Sequence, residues 1–246
     1  MQRYWGTLLL LAVMAFLLGW IWQWGGTRIR EAMPIRYVRI AGVFQYLGKD
    51  QVQKVLRPLV VTDYFSADVG RIHDAALALP WVDSVVVKRV WPDAIDIRIF
   101  EQEAVVRWGD DSLMNPRGEL FRPKNIDAFM DLPLLSGPAG SERRLLGILR
   151  QMREALAGHA LSLAAFTVSE RRSWQLTLDN GMHIKLGRMA PQEKFQLLLQ
   201  ALPVLGQETI AAIARVDMRY PNGFALAWKE GMAPDWGDAG KLQHKT

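Results

Sequence analysis

The sequence predicts an α+β protein: an N-terminal transmembrane helix, then a β-α-α-β-β module, then a second mixed α/β domain with a largely antiparallel sheet. Three observations predict it. The chain carries no charge from Tyr4 to Trp24, and Leu8 to Trp22 reads LLLLAVMAFLLGWIW. Downstream, segments of period-two alternation interleave with segments of helical period. Turn residues punctuate them, with Trp91-Pro92-Asp93 and Asn180-Gly181 the strongest signals.

The apolar run is long enough for one span. About twenty residues at 1.5 Å each cross a hydrocarbon layer of about 30 Å. Tyr4 and Trp5 flank one end, and Trp20, Trp22 and Trp24 gather at the other. Aromatic rings favour the headgroup level, so the pattern resembles two interfacial belts. A cleaved signal peptide would need small residues at a cleavage site. Bulky Gln23-Trp24 before Gly25-Gly26 favours a retained anchor. Charge leaves the direction open: Arg28, Arg30, Arg36 and Arg39 outnumber Arg3 and place the C-terminal side in the cytoplasm by the positive-inside count, which long domains override.

In the first module, Val38 and Ile40 alternate with Arg39 on a strand that Gly42 ends. Val52, Val55, Leu56 and Leu59 recur at helical spacing, with Pro58 marking the helix end. Ser66 or Asp68 caps a second helix carrying Val69, Ile72, Ala76 and Leu79, which Pro80 stops. Val82 to Val90 is a β-branched strand. A turn at 91–93 leads to the alternating Ile95, Ile97 and Ile99.

The second module opens on short strands at Val105–Trp108, Ser112–Met114 and Leu120–Phe121, followed by a Pro- and Gly-rich loop through Leu135-Ser136-Gly137-Pro138. Leu145, Leu149, Met152 and Leu156 mark a helix ending near Gly158. Strands follow at Ala165–Val168, Trp174–Leu178 and His183–Leu186. Pro191 opens a helix bearing Phe195, Leu198, Leu199 and Leu202, which Pro203 limits. A last pair, Ile213–Arg219 and Phe224–Trp228, is joined by Tyr220-Pro221-Asn222-Gly223. Gly, Pro, Lys and Asp then dominate, and a disordered tail is expected from 229.

Composition and motifs exclude much chemistry. Half the residues are hydrophobic and 22% charged, a globular balance. The net charge is +5, but Lys and Arg are scattered among acids, which argues against a nucleic-acid role. No cysteine is present, so disulfides and thiolate chemistry are excluded. His73, His159, His183 and His244 lack metal-ligand spacing. No nucleophile elbow or P-loop occurs; Gly240-Lys241 lacks the strand before and the helix after. Asp110-Asp111 reads as a solvated turn. The ten tryptophans, Trp81, Trp91, Trp174 and Trp228 among them, read as packing or partner contacts rather than ligand stacking. No enzyme activity, cofactor, metal or small-molecule substrate is expected.

An ordered set of segments resembles the FtsQ/DivIB family of bacterial cell division proteins. Leu79-Pro80-Trp81-Val82 and Lys88-Arg89-Val90-Trp91-Pro92-Asp93 resemble that family's POTRA domain. Arg107-Trp108, Leu132-Pro133-Leu134-Leu135-Ser136-Gly137-Pro138-Ala139-Gly140, Arg171-Arg172-Ser173-Trp174 and Val216-Asp217-Met218-Arg219-Tyr220 resemble its second domain, with Gly223 and Trp228 after them. The resemblance implies a cytoplasmic tail at 1–3, a span at 4–24, a linker at 25–34, a POTRA domain at 35–103, an FtsQ-type C-terminal domain at 104–228 and a tail at 229–246.

It also implies a role. The expected protein is a single-pass type II protein of the inner membrane, with a periplasmic body, concentrated at the division septum and without enzymatic activity. Its implied partners are FtsB and FtsL, with other divisome proteins reached through the POTRA domain. FtsB would add a strand at the C-terminal sheet edge. The implied contacts are Arg171, Arg219, Tyr220, Pro221, Asn222, Gly223, Phe224 and Trp228: arginines for partner carboxylates, Tyr220 as aromatic anchor, Gly223 for a close backbone turn. Two rival readings are an anchored periplasmic cell-wall enzyme and a POTRA-type chaperone of envelope protein assembly.

Overall fold

A computed structural model describes residues 10, 12–20, 34–220 and 223–233. The described part of the expected anchor, residues 10 and 12–20, is helical with exposed side chains, and Phe16 and Trp20 meet edge to face at 5.8 Å. The rest of 4–24, most of the 25–34 linker and the tail beyond 233 lie outside the described residues. Among the described residues, no helix is long and apolar enough to cross a membrane. The chain divides into two compact units, 1–102 and 103–246.

The first unit is a three-stranded sheet with two helices. Strand β1 (Tyr37–Ala41) precedes helices α1 (Lys49–Val60) and α2 (Val69–Leu77), and strands β2 (Val82–Val90) and β3 (Ala94–Glu101) complete it. The order is β1-β3-β2, with β1 parallel and β2 antiparallel to β3. Alternation explains the burial: Ile95, Ile97 and Ile99 of β3 face a core with Val52 and Leu56 of α1 and Ile72 and Ala76 of α2. Asp68 caps α2 by accepting from the Arg71 N–H at 3.1 Å. Pro58 does not end α1 but sits in its last turn, with the chain helical to Val60.

The second unit is one nine-stranded sheet. Its strands are β4 (Val106–Trp108), β5 (Ser112–Met114), β6 (Leu120–Phe121), β7 (Leu134–Ser136), β8 (Leu163–Val168), β9 (Trp174–Leu178), β10 (His183–Gly187), β11 (Ile213–Asp217) and β12 (Ala225–Trp228). They lie in the order β12-β11-β10-β9-β8-β7-β4-β5-β6. The neighbours β4–β7, β7–β8 and β10–β11 are parallel and the rest antiparallel. Strand β7 falls inside the expected loop; its three residues gain strand pairing from β4 on one side and β8 on the other.

Helices α3 (Glu142–Ala157) and α4 (Pro191–Ala212) bury Leu145, Leu149, Met152, Phe195, Leu198 and Leu202 in the same core as the inward sheet residues. The register sets those residues in a row: Phe166, Leu176, Ile184, Val216 and Leu226 across β8 to β12. The opposite face carries Thr167, Gln175, Lys185, Asp217 and Ala225. Pro203 does not limit α4. The break comes at Gly206, whose φ of +74° an L side chain rarely adopts, and a short helical piece continues to Ala212.

A candidate partner-binding sheet edge

Strand β12 ends the nine-stranded sheet. It pairs with β11 through Asp217↔Ala225, Val216↔Leu226, Arg215↔Ala227 and Ile213↔Trp228. Its other side meets no strand among the described residues. Alternate backbone N–H and C=O groups of its four residues therefore point away from the sheet, along about 13 Å.

Sequence makes this edge unlike the others. Protein edges are commonly guarded by charge, proline or shortness. Strand β1 carries Arg39, β2 carries Asp83, Lys88 and Arg89, and β6 has only two residues. Strand β12 reads Ala-Leu-Ala-Trp, with neither charge nor proline. Leu226 and Trp228 are half-buried against the core, which fixes the strand, while Ala225 and Ala227 present almost no side chain on the other face.

The register gathers most of the expected contact residues at one end. Val168 pairs with Trp174, Gly187 with Trp174, Lys185 with Asp217 and Asp217 with Ala225. The β8–β9 turn with Arg171, the end of β10, the Arg219-Tyr220 bend and the start of β12 with Gly223 and Phe224 thus share one end of the sheet. Strands β9 and β11 are two strand spacings apart there, about 10 Å. Trp228 stands at the opposite end of β12, across from Ile213. Pro221 and Asn222 lie outside the described residues.

Each side chain has its own setting. The turn carrying Arg171 is closed by the Arg172 N–H donating to the Ser169 carbonyl at 2.7 Å and by Ser169 and Ser173. Arg171 itself is exposed. Tyr220 is 56% exposed on its bend, so its ring is not sealing the core. Phe224 is half-buried against the core beside it.

Arg219 is paired within its own chain. Its Nε donates to Asp217 Oδ1 at 2.8 Å and its Nη2 to Asp217 Oδ2 at 2.6 Å. The same carboxylate accepts from the Arg219 backbone N–H at 3.1 Å. Hydrogen bonding from Arg219 holds the Asp217 carboxyl below the usual carboxylate range, with burial opposing it. At Gly223 a Cβ would meet nothing within 4 Å.

The glycine that permits close approach is Gly187, which no local motif announced. Its φ is +79°, and an added Cβ would lie 3.1 Å from Arg219 Cγ. The arginine stem therefore lies over bare backbone at the end of β10. The neighbouring Arg188 is exposed and joins Arg171 and Arg172 at this end. Only the three-dimensional register brings these arginines together.

Residues 106–219 match the family described as cell division protein FtsQ/DivIB, C-terminal, and residues 33–102 match the POTRA domain, FtsQ-type. The chain is 44% identical over 196 residues to a cell division protein FtsQ of Methylomonas methanica, covering 80% of this chain and 79% of that one. It is 30% identical over 219 residues to the FtsQ of Xanthomonas campestris pv. campestris, covering 89% and 76%. It is 32% identical over 198 residues to the FtsQ of Shewanella oneidensis, covering 80% and 75%. The C-terminal family match stops at Arg219, so Tyr220 and β12 lie beyond it.

Proposed function

The chain belongs to the FtsQ/DivIB family of cell division proteins, and we propose that it works there as a membrane-anchored adaptor that binds FtsB, and with it FtsL, by strand addition to β12. The observation that carries this reading is the unguarded end strand, Ala225–Trp228, fixed by its core-facing side chains and left with outward backbone groups.

A docked partner strand would take its affinity from main-chain hydrogen bonds and its specificity from side chains at the ends. Tyr220 would supply the aromatic anchor, and Phe224 would extend the apolar surface beside it. Arg171 would meet a partner carboxylate, while Arg219, held by Asp217, would offer its remaining N–H groups. Trp228 would border the far end of the added strand. Pro221, Asn222 and Gly223 would shape the bend that presents Tyr220.

In this reading the span at 4–24 tethers a periplasmic body to the inner membrane at the septum, the chain has no enzymatic activity, and the POTRA domain engages other divisome proteins. The exposed apolar side chains of residues 12–20 support the tether. Depletion in cells carrying a fluorescent fusion tests the role. Midcell fluorescence and filaments without septa are expected. Normal septa with loss of outer-membrane barrel proteins would instead favour an envelope chaperone.

A further inference from the structure

We propose that the end of the POTRA unit where β1 begins is a lipid-docking surface that lies on the bilayer holding the chain's own anchor. The inference rests on the proposal that residues 4–24 span a membrane.

The sheet register defines this end. Tyr37 pairs with Ala94, and Val90 pairs with Ala94, so the start of β1 and the β2–β3 turn at 91–93 lie together. The Arg36 N–H donates to the Asp93 carbonyl at 2.9 Å. Pro34 bridges Asp63, and the Ile35 N–H donates to the Thr62 carbonyl, which brings in the loop after α1. Arg89 ties that loop to β2 through the Ala67 carbonyl.

Four large apolar side chains project from these three segments. Trp91 is 74% exposed, Val61 75%, Tyr37 63% and Phe65 46%. Folding leaves them in water although the core of the same unit is filled. Tryptophan and tyrosine rings favour the headgroup level, where one part of the ring is apolar and another is wet. Arg36 and Arg57 supply cations for lipid phosphates, and Arg57 lies in the last turn of α1. Two acids, Asp63 and Asp93, share this end, each held by donors. Asp63 accepts from the Phe65 and Ser66 N–H groups, and Asp93 pairs with Arg36 at 3.8 Å.

Chain length keeps a bilayer within reach of this end. The expected span ends at Trp24 and Pro34 opens the unit. The residues between them span at most about 35 Å even when fully extended. The opposite end of the sheet, marked by Glu101 and Val82, is about 25 Å farther along the strands. There Tyr46 and Trp81 stack on each other at 4.6 Å, and the Glu101 carboxylate accepts from the Leu47 N–H at 2.7 Å. A closed aromatic pair does not suit a lipid surface; the open aromatics of the near end do.

The cysteine-free chain permits a direct test. Val61→Cys at the near end and Val43→Cys at the far end are each labelled with a polarity-sensitive fluorophore in the full chain. The chain is reconstituted in nanodiscs of phosphatidylethanolamine with a minor fraction of phosphatidylglycerol. The label at 61 is expected to shift to the blue, to be quenched by nitroxide lipids, and to be shielded several-fold from aqueous iodide relative to 43. Trp91→Ser in the Val61→Cys background should remove that shielding, and Phe65→Cys is a second reporter should Val61→Cys misfold. Equal accessibility of 61 and 43 in chains retained by the disc overturns the proposal, as does shielding that arises only when division proteins are added. Loss of the chain from the disc on carbonate washing is a separate result: it sinks the anchor and the docking with it.

Discussion

Asp217 and Arg219 form a closed fork two residues apart, with Nη2 to Oδ2 at 2.6 Å and Nε to Oδ1 at 2.8 Å, where β11 ends and the bend to β12 begins. The pair fixes the direction of the chain as it leaves β11, with Gly187 beneath the arginine stem.

The fork has a pH signature. Arg219 lowers the Asp217 pKa in the folded state, so the pair's contribution is complete above the ordinary carboxylate value near about 4. It is lost as pH falls through the lower folded value. Carboxyl NMR titration should place Asp217 below the ordinary aspartate range, and Arg219→Ala should raise it. An unchanged titration in Arg219→Ala would show that the fork is absent in solution.

Gly187→Ala should disturb the same bend from the other side. A Cβ at positive φ is strained, and this one would press on Arg219 Cγ at 3.1 Å. A loss of about 1 kcal/mol in thermal or denaturant unfolding is expected. Gly223→Ala, which meets open space, should cost much less by the same measurement.

Tyr220→Ala should weaken FtsB binding by about 2 kcal/mol, the hot-spot scale, with the melting curve unchanged because the ring is exposed. Isothermal titration of the full chain in detergent with FtsB reads this directly. Unaltered affinity would remove Tyr220 from the interface.

The core makes a contrasting prediction. Phe166 is fully buried and meets Trp174 edge to face at 5.2 Å. Phe166→Ala should lower unfolding stability by about 3–5 kcal/mol in denaturant titration.

Strong local patterns were legible. Strand β2 spans Val82–Val90 because β-branched residues and a following turn mark both ends, and the Asn180-Gly181 turn gave the β9–β10 hairpin. Strand β7 was not legible. Leu134–Ser136 is short and lies between Pro133 and Gly137-Pro138, and its state comes from partners distant in sequence. The end of α4 misled for a related reason. Pro203 is a local breaker, yet the chain tolerates it and turns at Gly206 instead. At the candidate site, Asp217 and Arg219 were visible as alternating residues. Their fork needs the bend after β11, and the approach of Gly187 needs β10 beside it.

Strand addition is tested most directly by hydrogen–deuterium exchange of the β12 amides, with and without FtsB. Leu226 and Ala227 point their N–H groups to opposite sides of the strand, so one of them faces β11 and the other faces out. The account predicts that FtsB slows exchange of the outward amide markedly, and that proline at that position abolishes binding while the fold persists. Saturating FtsB that leaves every amide of 225–228 exchanging at its free rate would contradict it.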